Sequence, residues 1–190
     1  MAYQKIDIES SYLENDLGRF IYNEVVRLKP DRVVEFGALN GYSTVAIAMG
    51  LRDNGGGHLY AYDLCEKYPY KHTQPQVCLN NLREHGLESY VTIDQVNFWD
   101  WLAAPEEFDM LHIDISNTGK IISAAAKSLQ PQLDSGAAIL FEGGSATRDA
   151  VGWMTRFSKQ PIFPLKSTLG YKILCEDYPS ISIIEGTKID

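Results

Sequence analysis

The sequence predicts an α/β protein: a doubly wound, mostly parallel sheet of seven strands, with helices on both faces and a C-terminal antiparallel strand pair. Three observations carry that prediction. Short apolar runs alternate with helical stretches along the whole chain. Most of these runs are apolar throughout, as parallel strands covered on both faces are. The last two strand-like runs meet across Tyr178-Pro179, a turn signal that suits an antiparallel pair.

Each element is legible in order. "YLENDLGRFIYNEVVRLK" sets Leu13, Leu17, Ile21, Val25 and Leu28 at helical spacing, and Pro30 stops it. "RVVEFG" is a buried-strand run ending in glycine. "YSTVAIAMGLRD" is a helix that gives out at Asn54 and Gly55-Gly56-Gly57, and "HLYAYDL" is the second strand. "PQVCLNNLREHG" is a helix with Pro75 near its start and Gly86 as its stop. "YVTIDQV" and "FDMLHIDI" are the third and fourth strands. "GKIISAAAKSLQPQL" reads as one helix, "GAAILFEGG" as the fifth strand and "VGWMTRFSK" as a short helix. "YKILCED" and "SISIIE" form the closing pair. The expected layout is a single domain: an N-terminal helical cap over residues 1–30, a core over 31–145, and a sheet-completing segment over 146–190.

Composition narrows the function classes. Hydrophobic residues make up 45% and charged residues 22% of 190, a globular profile. No apolar run approaches the roughly 18 residues of a membrane helix, and "MAYQKIDIESSYLEND" is too polar for a secretory signal. The net charge is −8 and no basic run is present, which argues against nucleic acid as a partner. Cys65, Cys78 and Cys175 form no CxxC pair and read as reduced thiols. These features suggest a soluble cytoplasmic protein with a small-molecule partner and no membrane partner. They leave a homodimer open.

A doubly wound sheet binds ligands at the carboxyl ends of its strands, where strand order reverses. The first such end is "VVEFGALNGYST": strand, glycine turn, helix start. The helix N-terminus offers free N–H groups, and Gly37 and Gly41 leave room for close approach. A P-loop would need lysine after its second glycine, where this chain has Tyr42. A GxGxxG fingerprint from Gly37 would need glycines where it has Leu39 and Tyr42. A nicotinamide-dependent oxidoreductase is therefore disfavoured. The Glu35 carboxylate would repel a pyrophosphate. It suits S-adenosylmethionine, which carries two cationic groups and one carboxylate.

This stretch resembles motif I of the class I S-adenosylmethionine-dependent methyltransferases, a Rossmann-like family, and is most similar to its catechol-type small-molecule O-methyltransferases. Three further matches follow in order. Asp63 ends "LYAYDL", 22 residues after Gly41, where an acid can accept both ribose hydroxyls. "NNLREHGLESYVTIDQVNFWDWL" resembles the family segment that clasps adenine, placing that role at Val96, Asn97 and Phe98, with Phe98 or Trp99 able to stack. "FDMLHIDIS" resembles motif IV, placing Asp114 beside the methyl donor. His112 reads as a buried, satisfied strand histidine. The resemblance covers about Arg27 to Gly144. It implies a cofactor set of Glu35, Gly37, Ala38, Gly41, Tyr42, Ser43, Asp63, Leu64, Asn97, Phe98 and Asp114, with S-adenosylhomocysteine as product. Asp114 is also the expected base or acceptor-orienting group.

The chain departs from the catechol type at its metal site. Those relatives hold a divalent ion with the motif IV Asp and an Asp-Asn pair after strand five, and carry a lysine three residues past the first Asp. Here strand five ends in Glu142 and Gly143, and Asn117 stands at the lysine position, with Lys120 displaced. Asp114 and Glu142 could share an ion, but no metal is expected. Acceptor contacts are expected from "CEKYPYKHTQ", from Ser145 and Arg148, from Lys166, and from Tyr3 and Tyr12 acting as a lid. Two functions follow: a methyltransferase acting on a small molecule, with oxygen the expected target, or a cofactor-binding partner protein that no longer transfers methyl groups.

Overall fold

The computed structural model describes residues 2–68 and 73–187. Its described residues form one seven-stranded sheet in the order β3-β2-β1-β4-β5-β7-β6. The parallel strands are β1 (Arg32–Phe36), β2 (His58–Tyr62), β3 (Val91–Asp94), β4 (Met110–Ile113) and β5 (Ala138–Glu142). β7 (Ile181–Glu185) runs antiparallel beside β5, and β6 (Lys172–Cys175) pairs antiparallel outside it.

Period-two alternation divides the sheet residues between two cores. Val33, Leu59, Met110 and Leu140 face α1 (Leu17–Leu28), α2 (Tyr42–Asn54) and α3 (Pro75–Glu84). Val34, Phe36, Leu111, Ile113, Ile139 and Phe141 face α4 (Phe98–Ala103), α5 (Gly119–Ser128) and α6 (Gln130–Asp134). The doubly wound, mostly parallel architecture is therefore present, with its C-terminal antiparallel pair.

Two element boundaries differ from the sequence reading. The first helix starts at Leu17. Asp16 before it adopts a left-handed conformation (φ 50°), and residues Ser11–Leu13 form a separate 3₁₀ turn. The run 119–133 is two helices, broken at Leu129. Pro131 has no N–H to continue the ladder, and its ring would press on the carbonyl four residues back. Past β5 come α7 (Ala146–Asp149), α8 (Gly152–Arg156) and α9 (Lys166–Leu169). No helix among the described residues is long and apolar enough to cross a membrane.

Candidate active site

Strand order reverses between β1 and β4, and a cavity of about 500 Å³ opens there, at the carboxyl ends of the parallel strands. Every parallel strand sends residues to it: Gly37 and Leu39 after β1, Asp63 and Leu64 after β2, Val96 to Trp99 after β3, Asp114 to Ser116 after β4, and Glu142 at the end of β5. The N-terminal segment covers it through Ser10, Ser11 and Tyr12.

The glycine turn is shaped first by the protein itself. Gly37 has φ 98°, and a Cβ there would collide with the backbone carbonyl of Asp114. That carbonyl is close because the Asp114 N–H donates to Phe36 O at 2.8 Å, stitching the ends of β1 and β4 together. Gly41 has φ 94°, and its Cβ would lie 2.7 Å from Cys78 Sγ on α3. Gly37 lines the cavity; Gly41 does not. Between them Leu39 is left-handed (φ 45°) and does line it. Leu39 carries no local signal of this, because leucine is not a residue that advertises positive φ.

Asp63 joins the first two turns. Its Oδ2 accepts from the Leu39 N–H at 2.9 Å, and its Oδ1 from the Cys65 N–H at 2.7 Å. Each carboxylate oxygen keeps a second lone pair, so the group can hold the loops and still present acceptors to the cavity.

Glu35 is placed elsewhere. It is fully buried on the α2 face of β1. Its Oε2 accepts from the Thr44 hydroxyl at 2.6 Å, and its Oε1 lies 3.1 Å from His112 Nδ1. The register pairs Glu35 with His112 on the adjacent strand, so both side chains point the same way. His112 is buried as its position suggested, but it is only half satisfied: Nδ1 meets Glu35 while Nε2 is buried without a partner, and Glu35 does not line the cavity. Ala38, Tyr42 and Ser43 are likewise buried and line no part of it. Tyr42 instead packs edge-on against Tyr12, with ring centroids 5.8 Å apart.

At the β3 end Asn97, Phe98 and Trp99 come together at the cavity wall. Asn97 Oδ1 caps α4 by accepting from the Trp99 N–H at 2.8 Å. Phe98 is buried edge-on against Phe36, 5.1 Å between centroids, while Trp99 is 46% exposed.

The opposite end is acidic and tied to one cation. Arg148, only 2% exposed, grips Glu142 through Nε at 2.8 Å and Nη2 at 2.7 Å, and Nη2 also donates to Asn117 O. Burial pushes Glu142 up to about 7 against the pull of Arg148. Burial also raises Asp114, opposed by His112, Tyr12 and Arg148 and reinforced by Glu35. A carboxyl raised in this way is a better proton acceptor near neutral pH. Tyr12 is 2% exposed and its hydroxyl has no hydrogen-bond partner. Burial and the negative charges of Asp114 and Glu142 hold it far above the usual phenol range. Tyr3 lies outside the cavity and donates to Asp16 at 2.6 Å. Ser145 caps α7, and neither it, Lys120 nor Lys166 lines the cavity. Tyr68 lines it, whereas residues 69–72 of the same loop lie outside the described residues.

These donors do not fit a divalent ion. Both Glu142 oxygens are on the guanidinium, and the Asn117 amide donates to Ile113 O and Glu142 O. Among the described residues no cluster of three or more His, Cys, Asp or Glu could hold a metal.

Doubly wound sheets bind their ligands at this switch point, and here Asp63 after β2 and Asp114 after β4 both line it. A model of the methyltransferase-domain family matches residues 34–142, and the chain belongs to that family. No curated protein matches the chain by sequence. Solved structures are similar in fold. A methyltransferase from Podospora anserina, bound to S-adenosylhomocysteine, aligns with TM-score 0.67 and 16% identity over 95% of this chain and 80% of its own. An O-methyltransferase of tomaymycin synthesis from Streptomyces achromogenes, in complex with S-adenosylmethionine, gives 0.62 and 16% over 93% and 86%. An O-methyltransferase from Bacillus cereus in complex with S-adenosylhomocysteine gives 0.61 and 19% over 88% and 80%.

Proposed function

We propose that the protein transfers a methyl group from S-adenosylmethionine to an oxygen of a small-molecule acceptor. The observation that carries this is one cavity lined by both Asp63 and Asp114. Its volume falls in the range of small-molecule sites. S-adenosylmethionine supplies an activated methyl group on a sulfonium, so the chain has only to hold, orient and deprotonate. Asp63 would accept the ribose hydroxyls and Asn97 to Trp99 would flank the base. The backbone at Gly37 and Leu39 would lie along the methionine portion. Asp114 would take the acceptor's proton, and the buried walls would exclude competing water. A cytoplasmic setting belongs to this reading and is supported by the free thiols Cys65, Cys78 and Cys175.

Calorimetric titration with S-adenosylhomocysteine, with NAD in parallel, tests the cofactor assignment. Micromolar binding of the first alone is the expected result. Failure of a folded sample to bind it would overturn the reading.

A further inference from the structure

One stretch of the chain departs from the charge of the rest. Residues 150–175 contain Arg156, Lys159, Lys166 and Lys172 and no aspartate or glutamate, in a chain of net charge −8. Removing those four positive charges leaves −12 on everything else. Lys172 is paired with Glu185 at 2.6 Å. Arg156, Lys159 and Lys166 are exposed and make no ion pair among the described residues. The fold gathers the first part of this stretch into a closed loop. Asp149 accepts the N–H groups of Ile162 and Phe163 at 3.0 and 2.6 Å, which holds the two ends of residues 150–161 together. Past α8 the Lys159 N–H donates to Met154 O at 2.9 Å and turns the chain back. Met154 and Ile162 are buried and anchor the loop. Phe157 is not: at 58% it is the most exposed large hydrophobic side chain among the described residues, and Phe163 at the closure is 38% exposed. The Arg156 guanidinium lies 5.4 Å from the Phe157 ring centroid, so cation and ring share one face. Trp153, also on α8, lines the active-site cavity, so the loop stands at that cavity's edge.

We propose that the loop 150–161, with Phe163 and Lys166, is a docking surface for an anionic lipid bilayer. Phe157 and Phe163 enter the headgroup boundary, and Arg156, Lys159 and Lys166 meet the lipid phosphates. An exposed ring gains by entering an apolar medium, and unpaired cations gain by meeting anions. An anionic bilayer offers both at one plane, and association of this kind takes two such signals together. A helix or an extended peptide would need a groove or a free sheet edge. Phe157 and Phe163 instead stand outward and line no part of the cavity, which suits a planar partner. The acids elsewhere set the orientation. Charges more than about 10 Å apart are largely screened at 0.1 M salt, so the loop meets the bilayer at contact while the acidic faces stay away from it. The sequence expectation of no membrane partner rested on the lack of a spanning segment, which an interfacial loop does not need.

The test is sedimentation of the full chain with vesicles at about 0.1 M salt, and it needs neither cofactor nor acceptor. One set is phosphatidylcholine alone, and the other carries about a third phosphatidylglycerol. The chain should pellet with the mixed vesicles and partition at least about tenfold less onto the neutral ones. Phe157→Ser should cut partition onto the mixed vesicles about tenfold. Arg156→Gln with Lys159→Gln should cut it about 25-fold, at about fivefold for each charge near a lipid surface. Both variants change exposed side chains, so the denaturation midpoint should hold and show that they fold. Lys127→Gln, an exposed cation on α5 outside the loop, should leave partition unchanged. The proposal fails if the mixed vesicles do not retain the chain, if neutral vesicles retain it equally, or if Lys127→Gln lowers retention as much as the loop variants do. It fails also if only one of the two loop variants has an effect. Dependence on the cations without Phe157 would make the occupant an acidic macromolecule rather than a bilayer.

Discussion

Glu35 and Glu142 are both buried glutamates on neighbouring parts of one sheet, yet they do different work. Glu35 has its two oxygens beside Thr44 and His112, on the α2 face and away from the cavity. Glu142 is matched to Arg148 at the cavity wall, and that match leaves Arg148 Nη1 unpaired. Burying a polar group demands a partner. Glu35 is met on both oxygens, and its partner His112 keeps a buried Nε2 with no hydrogen-bond partner. Glu142 is met on both oxygens by Arg148, whose Nη1 is likewise buried without a partner. What separates the two is the cavity, which Glu142 and Arg148 line and Glu35 and His112 do not.

The sharpest way to break this comparison is at the seam between the two regions. Gly37→Ala places a methyl group against the Asp114 carbonyl in a left-handed backbone. Overpacking and backbone strain should cost about 3–5 kcal/mol, seen as a lower denaturation midpoint. A neutral result would mean that the β1–β4 seam can open, and with it the wall shared by the cofactor and acceptor ends.

Glu35→Leu comes next. It strands the Thr44 hydroxyl and His112 Nδ1 at about 1–3 kcal/mol each, so urea unfolding should report a loss of about 3 kcal/mol. S-adenosylhomocysteine affinity should barely change. A large affinity loss in a stable variant would return Glu35 to the site. Asp63→Ala should do the reverse. It removes charged hydrogen bonds to a ligand and to Leu39 and Cys65, weakening S-adenosylhomocysteine by about 1.5–3 kcal/mol. Unchanged affinity in calorimetry would refute the ribose role.

The strand and helix order was legible because apolar runs and stop residues are local signals. The helix break at Leu129 was hidden by a proline that also fits a helix start. At the site, Asp63 and Asp114 were legible as acids just past buried strands. Tyr12 as a wall of the cavity rests on chain crossings that no local pattern encodes: Asn15 reaches the carbonyls of Asp177 and Pro179 at 3.0 and 2.9 Å, and Asn40 reaches that of Glu9 at 3.3 Å. Arg148 was only one of several loop cations until its burial separated it from Lys166. Glu35 was read as helping the ligand's ammonium group indirectly, and its register with His112 appears only once β4 is seen to lie beside β1.

The smallest predicted effect concerns Asn97, which the sequence offered to adenine and which the fold uses as a cap. Asn97→Ala should remove the bond to the Trp99 N–H and cost about 1 kcal/mol of stability, as lost caps do. If capping is its main work, S-adenosylhomocysteine affinity should fall by less than twofold, and Asn97→Ser should restore the stability. If the amide also reads the base, Asn97→Ser will recover stability while affinity stays low. The two readouts together divide the residue between the helix it starts and the ligand it faces.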